Sequence, residues 1–329
     1  EYDENNLASN YEPLDVIGIK QNFLFPTIYF AGKKVNQLQY NMQDSQYQLQ
    51  KRKTEARVAA YYYQLLYEKN MEGVYKKLDS IYQKFAYNAQ RKFELGETNY
   101  LEKITAQAKQ QELKTAYIQT QEDIQIALEQ LKKIVQTEDN LNIKLQPLAK
   151  LELQLAAMEE NPGYAYLNNR TAFLKANNSL EKQQLLPDIS LSYSLGSNSG
   201  LNQNLYAYQV GLKIPLLFSG NASKIKASKI AMDIGEREAV DYKIQLQSKQ
   251  LQLMNELNKY REVLSYYETQ GEALSEEILK TAELSYKTGT IDFFQYIQSL
   301  ENAYEIELSY LKNLNRYNQT VIAINYLTL

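Results

Sequence analysis

The chain has 329 residues, 44% of them apolar, with 36 basic and 39 acidic side chains and a net charge of -3. It has no cysteine and no histidine, which excludes thiol nucleophiles, disulfides, imidazole bases and the usual zinc or copper ligands. The charge balance leaves no footprint for nucleic acid. No run of about twenty apolar residues exists, so a membrane could be crossed only by strands. The six prolines, at positions 13, 26, 147, 162, 187 and 215, leave 27–146 and 216–329 free for very long helices.

Residues 1–14 are rich in Glu, Asp and Asn and predict a solvated loop. From Asp15 to Phe25, Ile17, Ile19, Phe23 and Phe25 alternate with Gly18, Lys20, Asn22 and Leu24, a strand that ends at Pro26. Its natural hairpin partner would lie before Glu1. A rod then runs from about Lys33 to Lys92, with an apolar seam at Met71, Val74, Leu78, Ile81, Phe85 and Ala89. Roughly 60 residues at 1.5 Å rise make about 90 Å. The turn Phe93-Glu94-Leu95-Gly96-Glu97-Thr98-Asn99 follows, with Thr98 placed to cap the next helix. That helix carries Leu113, Tyr117, Thr120, Ile124, Ala127, Leu131 and Ile134 in a regular four-three alternation.

The pattern dissolves over 137–163, where Leu141, Ile143 and Leu145 alternate briefly before Pro147. Asn161-Pro162-Gly163 opens a connecting helix that runs to Leu186. Two strands follow. Ile189, Leu191, Tyr193 and Leu195 alternate with Ser190, Ser192, Ser194 and Gly196; Tyr206, Tyr208, Val210, Leu212, Ile214 and Leu216 alternate with small or polar residues. Strands of about ten residues with one apolar and one polar face suit a tilted barrel wall or a hairpin on a soluble core, and this stretch alone does not separate the two. Ser219-Gly220-Asn221 starts a second rod from Ala222 to Tyr286, and Tyr286-Lys287-Thr288-Gly289-Thr290-Ile291-Asp292 forms a second glycine turn. A last helix carries Ile297, Leu300, Tyr304, Leu308 and Leu311.

The two halves repeat one another. Gly18 and Gly211, Tyr67 and Tyr260, Phe93 and Tyr286, and Gly96 and Gly289 are each 193 residues apart. The chain therefore divides into a loop and strand (1–32), a long helical hairpin (33–136), an irregular segment (137–163), a connecting helix (164–186), two strands (187–219) and a second hairpin (220–329). Three strands cannot close a barrel, which needs about eight, and an open edge cannot sit in lipid. With the missing partner there are four per chain, and three chains would give twelve.

The motifs resemble those of the TolC-like outer-membrane efflux proteins over nearly the whole chain. The likeness rests on Leu186-Pro187-Asp188-Ile189-Ser190-Leu191, on Val210-Gly211-Leu212 leading to Pro215-Leu216-Leu217-Phe218-Ser219-Gly220, and on the two glycine turns, in their order and 193-residue repetition. The resemblance implies a mainly α-helical chain with membrane β-structure, assembling as a homotrimer into a twelve-stranded barrel in outer-membrane lipid that continues as a long helical barrel into the periplasm. It implies a passive exit duct of a tripartite efflux system, opened at its periplasmic tip by an adaptor and an inner-membrane pump of the resistance-nodulation-division type. The tip and adaptor-docking residues would be Phe93, Gly96, Thr98, Asn99, Tyr286, Gly289, Thr290 and Asp292. The family's first helix and strand, and any signal or lipid-anchored cysteine, do not occur after Glu1; processing, truncation, disorder or upstream fusion would each account for that.

Each role has a plainer counterpart. Gly96 and Gly289 would take a positive φ in the turn. Phe93 and Tyr286 would either pack on an adaptor or close the turn's own small core. Asp292 would either start its helix or form, in three copies, an acidic pore constriction, with the neutral Asn99 at the matching place. Among the 29 tyrosines, Tyr193, Tyr206 and Tyr208 suit an interfacial belt and Tyr61, Tyr62 and Tyr63 suit helix packing. No catalytic constellation, cofactor site or metal site is expected. The alternative to a duct is a structural coiled-coil scaffold or filament without a pore.

Overall fold

In the computed structural model the described residues are 14–141, 143–144, 146–155, 157–198, 203–214 and 219–329. The expected loop 1–13, Leu145 and the motif Pro215-Leu216-Leu217-Phe218 lie outside them. The chain runs β1 (Leu14–Phe23), α1 (Pro26–Glu94), α2 (Tyr100–Val135), a 3₁₀ turn (Met158–Glu160), α3 (Pro162–Gln183), β2 (Asp188–Asn198), β3 (Gln203–Lys213), α4 (Ser219–Tyr266), a π-helical turn (Tyr267–Gly271), α5 (Glu272–Lys287) and α6 (Phe293–Asn325). It forms two compact units, one within Glu1–Gln48 and Pro162–Lys243, the other within Leu49–Asn161 and Ile244–Leu329.

In the first unit the strands form one antiparallel sheet in the order β1-β2-β3. Its register stacks Ile17, Leu195 and Tyr206 in one row, then Ile19, Tyr193 and Tyr208, then Gln21, Leu191 and Val210, then Phe23, Ile189 and Leu212. The opposite face carries Gly18, Ser194 and Ala207, then Lys20, Ser192 and Gln209. Beside the sheet, α3 is tied to its neighbours by polar contacts. Buried Asn178 donates to Ser228 Oγ at 2.8 Å on α4, and Thr171 donates to the Gly235 carbonyl at 3.1 Å. Gly235 lets α3 approach closely there: a Cβ would lie 2.7 Å from Leu174 Cδ1, and that side-chain end would have to move.

Pro26 opens α1 rather than closing a strand, so the helix starts seven residues before the expected Lys33. Proline suits the first helical position, where its missing N–H costs nothing. Ser219 likewise lies inside α4, and α3 ends at Gln183 instead of Leu186.

In the second unit the helices share three apolar clusters. Val74, Leu78, Tyr82 and Ala89 of α1 meet Ala106 of α2, Ala282 of α5 and Phe293, Tyr296, Ile297, Leu300 and Tyr304 of α6. Leu66, Leu253, Leu257, Leu264, Leu314 and Val321 form a second cluster that takes in Leu148. Leu65 packs on Ile124, Ala127 and Leu131 of α2 in the third. The α2 and α6 seams follow the expected residues; the α1 seam holds the expected Ile81 half-buried and adds Tyr82, 1% exposed, as its more deeply buried neighbour. The second rod is not continuous: Tyr267–Gly271 widens to a π turn. There Tyr267 stacks on Tyr310 of α6 with centroids 3.8 Å apart, and a Cβ on Gly271 would lie 3.3 Å from Ile306.

The segment after Pro147 is extended but pairs with no strand among the described residues. Instead three asparagine amides clasp its backbone at three-residue intervals. Asn70 donates to the Gln146 carbonyl at 3.1 Å and accepts from Leu148 N at 3.3 Å. Asn318, fully buried, donates to the Ala149 carbonyl at 2.8 Å and accepts from Leu151 N at 2.9 Å. Asn325 donates to the Glu152 carbonyl at 3.0 Å and accepts from Gln154 N at 2.7 Å. Seven residues of helix rise about 10.5 Å and three extended residues span about 10 Å, so Asn318 and Asn325 keep step with the segment.

Candidate functional site: the apolar sheet face and the two glycine turns

One face of the sheet is apolar and uncovered. Ile17 is 78% exposed, Ile19 74%, Tyr208 80% and Val210 72%, and Tyr193 and Tyr208 pack with centroids 5.1 Å apart. The apolar rows run from Ile17 to Phe23, a span of about 20 Å at 3.3 Å per residue, and end at the polar row Asp15, Ser197 and Asn204. β1 and β3 each keep one edge without a partner among the described residues. A contiguous apolar face of this extent calls for an apolar environment.

The glycine turns lie side by side in the second unit. Gly96 has φ 74° and Gly289 φ 72°. In the first, Gly96 N donates to the Phe93 carbonyl at 3.0 Å and Glu97 N to the Lys92 carbonyl at 2.8 Å; in the second, Gly289 N donates to the Tyr286 carbonyl and Thr290 N to the Ser285 carbonyl at 2.8 Å. These paired bonds close a helix end through a left-handed residue. Three residues on comes the cap. Asn99, not Thr98, caps α2 by accepting from Glu102 N at 2.9 Å; the Thr98 hydroxyl donates to the Glu102 carboxylate instead. Asp292 caps α6 by accepting from Gln295 N at 2.8 Å, and Gln295 Oε1 accepts from Asp292 N at 3.0 Å. The Asp292 carboxylate is exposed at a helix N-terminus, where the helix dipole favours its charge.

Aromatic packing joins the turns. Tyr286 stacks on Tyr296 with centroids 4.7 Å apart, Phe85 lies 5.0 Å from Tyr296, and Lys92 sits over the Tyr286 ring. Phe93 packs on Tyr100 beneath Lys103, 4.8 Å above its ring. Phe93 and Tyr286 are thus half-buried within the turns' own core, while Thr290 is exposed and shares a 2.9 Å contact with the Thr288 hydroxyl. Beside Leu95 of the first turn, 67% exposed, two exposed apolar side chains there are ones the sequence pattern passed over. Leu101 is 60% exposed and Phe294 41% exposed, 193 residues apart and each two residues past its cap. Their signal was a repeated apolar residue lying off the seam.

Strands heading long helical hairpins, twice in tandem, make a fold that this chain shares with solved outer-membrane channels. The "Campylobacter jejuni CmeC outer membrane channel" is similar to this chain at TM-score 0.80 and 12% identity, over 96% of this chain and 77% of that one. A "membrane protein from Pseudomonas aeruginosa" has TM-score 0.79 and 12% identity, over 96% and 84%. The open state of the "Neisseria gonorrhoeae MtrE Outer Membrane Channel" has TM-score 0.75 and 13% identity, over 96% and 80%. No family model and no curated protein sequence matches the chain. The expected TolC-like architecture is borne out at the level of the fold.

Proposed function

We propose that the protein is an outer-membrane channel that spans the membrane by its sheet, extends into the periplasm by its helices and serves as the passive exit duct of an efflux system. The observation that carries this reading is the sheet: four rows with an exposed apolar face, polar residues behind them and two unpaired edges. Open edges are not tolerated in lipid, so the sheet completes itself with other copies, three chains giving a twelve-stranded barrel if each supplies one further strand. Among the described residues no helix is long and apolar enough to cross a membrane, which leaves the strands as the spanning elements. The fold shared with outer-membrane channels supports the same conclusion.

The glycine turns would form the periplasmic tip. Phe93, Gly96, Thr98, Asn99, Tyr286, Gly289, Thr290 and Asp292 would shape it, and exposed Leu101 and Phe294 would offer an adaptor its apolar contacts, with an inner-membrane pump supplying the energy. Three copies of Asp292 would make an acidic constriction at the pore mouth. Electron microscopy and mass measurement of the detergent-extracted particle test the reading. A trimer with a detergent belt around one end and a tube beyond it is expected. A monomer soluble without detergent, or an unlimited filament, would replace the duct with the coiled-coil scaffold.

A further inference from the structure

Among the described residues the polar face of the sheet holds one uncompensated charge. Its ionisable residues among those described are Lys20, Asp188 and Lys213, and the last two stand directly opposite one another in the β2–β3 register at the end where the chain enters the helices. Lys20 stands in mid-strand, exposed, in a row with Ser192 and Gln209, and its ammonium makes no hydrogen bond or ion pair with another described residue. Serine and glutamine offer no counter-charge. A lysine on the face that points away from the apolar rows is kept in water, since its ammonium would be costly in lipid.

We infer that Lys20 is a selectivity-determining residue: its copies make the water-filled face of the barrel positive at one level, so that anionic solutes are favoured there over cationic ones. The inference rests on the duct reading, which puts this face in the lumen. Lys20 is then repeated around the barrel by symmetry, and its field reaches about 8 Å at physiological salt and about 30 Å at 0.01 M. Its effect on passing solutes is therefore greatest near the wall and in dilute salt. A ring of this kind discriminates by sign of charge and not by shape, in keeping with the serines and small residues on the same face.

The absence of native cysteine permits a direct measurement of the local potential. The full chain carrying Ser192→Cys, reconstituted in membranes, is treated with anionic and cationic water-soluble methanethiosulfonate reagents, with Lys20 intact or with Lys20→Gln. One unit charge about 6 Å away in water changes each rate about threefold, and so the ratio of the two about tenfold. Lys20→Gln should lower the anionic-to-cationic rate ratio by about that factor in dilute salt, with the difference vanishing near 1 M, where the screening length is about 3 Å. Gln209→Glu in the lysine-bearing chain should lower it similarly, which keeps the test decisive should Lys20→Gln fail to assemble. A ratio that neither substitution moves overturns the lysine ring and leaves the duct standing. Unreactive Ser192→Cys beside reactive Tyr193→Cys would mean that the faces are reversed, and the duct reading would fall with the inference.

Discussion

Gly96 and Gly289 hold the same left-handed backbone at φ 74° and 72°, and a Cβ at either meets no neighbouring atom within 4 Å. Substitution by alanine therefore tests conformation alone, and each should cost about 1–2 kcal/mol, measured as a lowered midpoint of thermal unfolding. Asp292 serves its helix and, in the proposed pore, its charge, and two substitutions separate these. Asp292→Asn keeps a capping oxygen and should leave stability nearly unchanged, while Asp292→Ala should cost about 1 kcal/mol. Single-channel conductance and cation preference should fall with either; if Asp292→Asn leaves both unchanged, the acidic constriction is wrong. The glycine turns were legible in the sequence because a positive φ leaves few residue choices. The cap was misplaced by one residue in the first turn because Thr98 and Asn99 are both good capping types. Backbone geometry distinguishes them: Asn99 is extended at φ -87°, ψ 165°, and its Oδ1 reaches Glu102 N.

Among the elements, the extended segment after Pro147 is the one that composition did not reveal. Asparagine on a helix surface is ordinary, and the fact that Asn70, Asn318 and Asn325 meet the same segment depends on contacts up to 173 residues apart. Asn318→Ala removes two part-buried bonds to the segment's backbone and should cost about 1–3 kcal/mol, since water can reach the groups left without a partner. Hydrogen exchange at Leu151 should rise most, since its N–H donates to Asn318 Oδ1. The π turn shows a similar division of information. The buried residues Met71, Val74, Leu78 and Tyr82 of α1 have counterparts 193 residues later in Leu264, Tyr267, Gly271 and Ser275. Two consecutive steps of four drift from the helical repeat. In α1 the helix absorbs this; in the second repeat glycine replaces Leu78, the helix widens, and Tyr267 lies on Tyr310. The repeat was visible in the sequence, but this local departure depends on the residue facing it across α6.

For the whole molecule, buried tyrosines predict how the fold responds to alkali. Burial, reinforced by nearby glutamates, pushes Tyr67 and Tyr267 up to about 12, and burial raises Tyr82 further. The unfolded chain would release these protons near pH 10, so the stabilisation they confer is complete below pH 10 and is lost as pH rises towards 12. Tyrosinate absorbance should rise in two stages, the exposed rings near their usual value and the buried group together with loss of helical circular dichroism. A single stage near pH 10 with the helices intact would contradict the packing of the second unit.

The sequence by itself determined the periodic features of this protein: alternation in the strands, three-four seams in the helices, breaks at glycine, and a 193-residue repeat. The first three are local patterns that backbone geometry imposes on a short window, and the repeat is the same set of patterns met a second time. Tertiary structure alone decided which patterns meet. It set the strand register that leaves Lys20 without a counter-charge among the described residues, the burial that sinks Tyr82 deeper than its neighbour Ile81, and the asparagine clasps that hold an unpaired extended segment. These depend on distances between residues far apart in the chain, and such distances arise only when its apolar faces close on one another.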